Sequence, residues 1–276
     1  MKKYWKSAAG LVLAGPLLFT ACKKSDNGEL SGPAPQPTFS VVTKQVGLTT
    51  QATFTNTTAY TGPGIVFYEW DFGDGSTVSS TTPTITHVYS KGGTVQAQLL
   101  ASASGGNGFS AKQNIVLPDV GTLVKQLLTN GTTKTWLLND TISVITVGPS
   151  DSDVTSYYSG NTKVNQSPAC QVDDEYTFSN AGVLTYDAKG QTFVAGGNCD
   201  TPRNYTVNYT FGPAVGTGLA QFDLQSTATG AARPFIGVTD APDLTYRIMR
   251  ISANRMTVRA GKSTGNLVFE MKFKAK

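Results

Sequence analysis

YEWDFGDGS, residues 68–76, sets one tryptophan among three carboxylates, Glu69, Asp71 and Asp74. The stretch is an acidic catalytic cluster, a metal loop or a turn between two strands, and the fold depends on which. The residue types favour the turn. Gly73 and Gly75 give the backbone freedom for a tight reversal, and aspartates readily bond amides just ahead of them. Two aspartates alone are too few oxygen ligands for calcium. Trp70 then becomes a core side chain. Strand signals flank it: ATFTN (52–56), IVFYEWDF (65–72), ITHVYS (85–90), TVQAQLLAS (94–102) and SAKQNIVL (110–117), divided by Gly, Ser, Pro and Asn clusters. Val95, Ala97 and Leu99 alternate with Gln96 and Gln98, the period of a half-buried strand.

The rest of the chain reads the same way. Of 276 residues 29 are glycine and only 14% are charged, and long apolar stretches at helical spacing are nearly absent, which favours many short strands. The length allows two modest cores. PDVGT from Pro118 marks a boundary. Thr122 is expected to cap one short helix, LVKQLL (123–128), which Asn130 and Gly131 end. Strand patterns resume at KTWLLN (134–139) and ISVITV (142–147) and close with LTYRIMRI (244–251), RMTVRA (255–260) and LVFEMKFK (267–274). In the last, Leu267, Phe269, Met271 and Phe273 face one way, and Glu270, Lys272 and Lys274 the other. An antiparallel meander that curls into a barrel hides its edges.

Lys2, Lys3 and Lys6 followed by an apolar run from Ala8 to Ala21 read as a leader too short to span a bilayer comfortably. LFTAC (18–22) resembles a bacterial lipobox, with Phe19 where leucine is usual. That resemblance implies lipidation of Cys22 as the mature N-terminus. Residues 1–21 are therefore expected to be a lipoprotein signal peptide, and the polar, proline-rich stretch 22–37 a flexible tether. Three of the 22 basic side chains leave with the leader, so the mature chain lies within about one charge of neutrality against its 18 acids, no footing for nucleic-acid binding. Cys170 and Cys199 remain, an even pair in an exported chain, and are expected to form a disulfide. A zinc site would need two more ligands, and the one histidine, His87, lies in another segment.

WDFGDGS followed by HVYSKGGTVQAQLLAS is similar to the PKD domain, an immunoglobulin-like β-sandwich, over residues 38–117. The resemblance implies that Trp70 lies between the sheets and that His87 packs rather than acts as a base. Some PKD-like domains bind calcium, which keeps that alternative open for Asp71 and Asp74. In residues 121–276, KTWLL and RMTVRA resemble the lipocalin-like β-barrels of secreted bacterial lipoproteins. That implies a tryptophan, Trp136, closing the barrel end with Arg259 packed over it. A narrower resemblance runs from VGPSDSDVTSYYSGNTKV to CQVDDEYTFSNAGVLTYD. It is similar to the C-terminal domain of surface lipoproteins that accompany glycan-degrading systems in Bacteroidetes-type bacteria. Those proteins tend to carry paired tryptophans where this chain has Tyr157 and Tyr158.

The expected fold is thus all-β, an immunoglobulin-like sandwich followed by an antiparallel lipocalin-like barrel. The loop Val147–Lys163 concentrates Asp151, Asp153, Tyr157, Tyr158, Asn161 and Lys163, an aromatic platform beside hydrogen-bonding groups that suits sugar rings. The opposite expectation is that both tyrosines fold inward over the barrel mouth. Asp173, Asp174 and Glu175 start a strand and read as solvated or turn-bonding rather than as a glycosidase pair. No nucleophile elbow is present, and no catalytic residue, metal ligand or cofactor is assigned. The expected function is a non-catalytic lipoprotein on the outer membrane, at the cell surface. It binds polysaccharide or oligosaccharide with the PKD domain as spacer, and has an outer-membrane glycan importer as its neighbour. A structural or adhesive envelope protein and a lipocalin-type carrier of a small apolar ligand are the alternatives.

Overall fold

The computed structural model describes residues 30–226 and 233–276. The expected leader and the lipidation site at Cys22 lie outside the described residues. The first domain contains β1 (Phe39–Val46), β2 (Thr49–Asn56), β3 (Phe67–Asp71), β4 (Thr77–Ser80), β5 (Thr84–Tyr89), β6 (Gly93–Ala103), β7 (Gly106–Phe109) and β8 (Gln113–Leu117). One sheet has the order β1-β2-β5; the other runs β4-β3-β6-β7, with β8 also on β6. Between them Trp70 is fully buried, its ring 5.4 Å from Phe39 and 5.5 Å from Phe54. Such aromatic contacts add about 1 kcal/mol each beyond the area they remove from water.

The opening stretch is a turn. Asp71 accepts from the Gly73 amide at 2.8 Å and Asp74 from the Ser76 amide at 3.0 Å. Gly73 has φ +79°, and a Cβ there would lie 2.5 Å from the Gln96 carbonyl oxygen, so no other residue fits beside β6. His87 packs as expected, stacked on Phe72 at 4.1 Å, and its Nε2 meets the second Asp74 oxygen at 2.7 Å. The supposed tether needs correcting in its second half. Pro35 and Pro37 are buried, and Ser31 donates its amide to Ser104 at 2.9 Å. Gly105 and Gly108 lack the Cβ that would bar this segment, so it lies along the β7 side of the sheet instead of standing free.

Helix α1 (Val120–Thr129) follows at once. Its cap is Asp119, which accepts from the Thr122 amide at 2.9 Å, rather than Thr122 itself. An aspartate three residues before that amide reaches it directly, and the Thr122 hydroxyl bonds the same carboxylate. Asn130 ends the helix in a left-handed conformation.

The second domain comprises β9 (Thr133–Leu138), β10 (Ile145–Gly148), α2 (Ala169–Val172), β11 (Glu175–Ser179), β12 (Val183–Asp187), β13 (Thr192–Val194), β14 (Asn198–Asp200), β15 (Tyr205–Gly212), β16 (Ala220–Leu224), β17 (Thr245–Ile251), β18 (Arg255–Ala260) and β19 (Val268–Ala275). Eight of these close an antiparallel barrel in the order β9-β11-β12-β15-β16-β17-β18-β19, with β19 returning to β9. β10 takes up the same edge of β19 where β9 leaves it, so the two act as one strand broken at residues 139–144. The interior is filled. Trp136, Tyr176, Phe178, Tyr186, Phe222, Tyr246 and Phe273 are all buried in one cluster, with Phe222 stacked on Tyr246 at 5.3 Å. Trp136 donates Nε1–H to the Leu128 carbonyl of α1 at 2.9 Å. The cation over its ring is Lys134, 4.3 Å from the centroid, and not Arg259. Lys134 sits two residues away on the same strand face, whereas Arg259 pairs with Glu270 at 2.8 Å on the outer wall.

Candidate functional site at the barrel mouth

Strand directions sort the connections by end. Residues 139–174, 188–204, 233–244 and 261–267 lie in connections at one end, opposite the end where α1 meets Trp136. Three of these segments are long, and long connections are where binding groups concentrate. They converge on a cleft of about 330 Å³, near the lower end of the size range of ligand pockets. Tyr158, Asn161, Pro168 and Gln171 come from the first segment. Phe193, Ala195 and Gly196 come from the β13–β14 hairpin, and Val238, Thr239 and Asp240 from the segment before β17. Val144, Ile145, Val147 and Phe269 complete an apolar wall.

Direct bonds tie the three segments together. Cys170 of α2 is bridged to Cys199 of β14. The expected disulfide therefore joins α2 to the β13–β14 hairpin, whose register sets Cys199 opposite Phe193. Ala195 donates its amide to Thr239 Oγ1 at 2.9 Å. Gln171 Nε2 donates to the Gly237 carbonyl at 3.0 Å. Gly237 has φ +71°, and a Cβ there would lie 2.6 Å from Met271 Sδ. The cleft is thus held open before any ligand arrives.

The structure separates the residues of the Val147–Lys163 loop. Tyr157 and Tyr158 are 63% and 49% exposed, so neither folds inward over the barrel. Only Tyr158 lines the cleft, its backbone zipped to Val147 by bonds of 2.8 and 3.0 Å. Asn161 also lines it, with Nδ2 bonded to Ser167 Oγ at 2.8 Å. Asp153 bonds the amides of Thr155 and Ser156 within its own loop. Lys163 is exposed and lies away from the cleft lining.

Asp151 faces the barrel wall. Its carboxylate accepts from Arg247 Nη1 and Nη2, both at 2.7 Å, and from Arg259 Nη1 at 3.2 Å. Ser263 and Thr217 add hydroxyl donors. Burial alone would raise its pKa, but these bonds outweigh burial and hold the carboxyl well below the usual carboxylate range. Arg247 is fully buried, directly across from Arg259 on β18. Asp151 is the anion between the two cations and anchors the tyrosine loop.

Asp174 corrects the reading of the acidic run. It is buried, bonded by the Tyr186 hydroxyl at 2.8 Å, with Tyr176 at 3.5 Å. Burial without a basic partner pushes its pKa up to about 8, against the lowering pull of Tyr186. Glu175 instead meets Lys276 at 2.6 Å and Lys189 at 3.4 Å. Consecutive strand residues point to opposite faces, so one carboxyl enters the barrel and the next pairs outside. Sequence reasoning missed Gln171, Phe193 and Thr239. Their signal was Cys199, which marks its own hairpin as the partner of the Cys170 segment.

Residues 33–116 match the PKD domain family, and the sandwich is such a domain. No curated protein matches the chain in sequence. One solved structure, described as the structural basis for the promiscuous specificity of carbohydrate-binding modules from the β-sandwich superfamily, is 15% identical over 88% of this chain and 91% of its own. The TM-score is 0.28, too low to bear on fold or ligand.

Proposed function

We propose that the chain is a non-catalytic, lipid-anchored surface protein that binds glycan at the barrel mouth, with the PKD domain as spacer. One observation carries the reading: the cleft is pre-built, and it sets a half-exposed tyrosine ring beside amide, hydroxyl and carboxylate groups. Apolar faces of sugar rings stack on such a ring while their hydroxyls bond the polar groups. The anchor rests on the leader and on LFTAC at Cys22. Residence at the cell surface and a glycan importer as partner rest on the family resemblance of the tyrosine loop. The lipocalin-type alternative fares worse, because among the described residues the barrel interior is side chain rather than cavity. Stacking one ring is worth about 1 kcal/mol, so binding in the micromolar-to-millimolar range is expected.

The test is titration of the full mature chain with oligosaccharides of glucose, mannose and N-acetylglucosamine, repeated with Tyr158→Ala and Tyr157→Ala. Tyr158→Ala should weaken binding about fivefold or more, the size of one stacking contact, and Tyr157→Ala less. A ligand whose affinity survives both changes places the site elsewhere.

A further inference from the structure

The cleft has a hydrogen-bonding sense as well as a shape, and the sense follows from what its polar groups already do. Gln171 is buried, and its Nε2 is committed to the Gly237 carbonyl at 3.0 Å. Among the described residues its Oε1 has no protein donor, and the residue lines the cleft, so this amide offers an acceptor. Asn161 behaves alike. Its Nδ2 is held by Ser167 at 2.8 Å and Asp140 at 3.3 Å, which turns Oδ1 toward the Tyr158 hydroxyl, 3.5 Å away. Asp240 adds an exposed carboxylate at the rim. The hydroxyls of Tyr158 and Thr239 can serve either way but carry no charge. Among the described residues, no lysine, arginine or histidine lines the cleft.

We propose that this cleft selects sugars presenting O–H and N–H donors, neutral or amino-bearing, and rejects carboxylated and sulfated ones. The proposal rests on the glycan reading and gives it a ligand class. A uronate or sulfate brought into the cleft would lose water, find acceptors where it needs donors, and face Asp240. A hexosamine would meet those same acceptors with its N–H groups, and an acetamido methyl would meet the wall of Val144, Val147 and Val238.

The experiment titrates the full mature chain with chitohexaose, its deacetylated counterpart, cellohexaose, oligogalacturonate and a sulfated oligosaccharide. Wild type, Asp240→Asn and Asp240→Lys are compared, with Tyr158→Ala as the site control. Asp240 is exposed, so neither change at it threatens folding. Binding of at least one neutral or amino-bearing oligomer, and of neither acidic one, is expected. Asp240→Asn should weaken the deacetylated oligomer roughly two- to fivefold more than it weakens cellohexaose, the worth of an exposed ion pair. Asp240→Lys should improve oligogalacturonate relative to wild type. Tyr158-dependent binding of an acidic oligomer to wild type would overturn the selectivity while leaving the glycan site standing. If no oligomer binds at all, the glycan reading falls and this inference falls with it.

Discussion

Arg247 is held without exposure to water, and Asp151 is the carboxylate that neutralises it. Removing one member of a buried pair strands the other, at about 3 to 5 kcal/mol. Asp151→Ala should therefore lower stability by about that amount, read from urea unfolding, and a loss under ~1 kcal/mol would show that the pair is not buried in solution. Its folded pKa is depressed, so this stability is present above the unfolded value near 4 and is lost as pH falls below it. Asp174 works in the opposite sense. Its folded pKa is raised to about 8, so its contribution is whole below roughly pH 4 and declines as pH rises through 8. Asp174→Asn should flatten the stability profile between those limits, compared by urea midpoints at pH 5 and pH 8. An unchanged slope would mean that another group sets it.

At the scale of elements, the disulfide should hold the mouth rather than the barrel. It closes a separation of 29 residues, for which the chain-entropy model gives roughly 3 to 4 kcal/mol as an upper figure. Cys170→Ser with Cys199→Ser should keep the β-sheet circular dichroism signal, lower the melting temperature and loosen the cleft, weakening any glycan more than Tyr157→Ala does. Unaltered affinity in the reduced form would show that α2 and β13–β14 keep their places without it. Legibility divides the elements. The turn at Gly73 and the alternation in β6 could be read because their contacts are local, two residues apart or across one pleat. The helix could be read, but Thr122 was the wrong cap, since Asp119 starts the helix by accepting from the Thr122 amide. The mouth could be read only in part. Tyr158 and Asn161 lie in a long loop that signals itself, whereas Phe193 and Thr239 join them only through register and closure of the ring.

For the whole molecule, all-β architecture and two cores follow from composition and period, and ring closure from the advantage of leaving no free edge. The tether was misread in part because glycines on β7 admit a proline-rich segment that composition alone marks as free. Anchoring is a prediction at this scale. Expressed in a Gram-negative host, Cys22→Ser should leave the chain unprocessed or soluble, checked by labelling with a radioactive fatty acid and by membrane fractionation. Equal labelling of mutant and wild type would remove the anchor. The most direct test of the glycan site is a crystal structure of the mature chain with a bound neutral or amino-bearing oligosaccharide. A sugar ring should lie against Tyr158, in the cleft between α2 and the β13–β14 hairpin, within hydrogen-bond reach of Gln171. A sugar seated on the sandwich, or against Tyr157 alone outside the cleft, would contradict it.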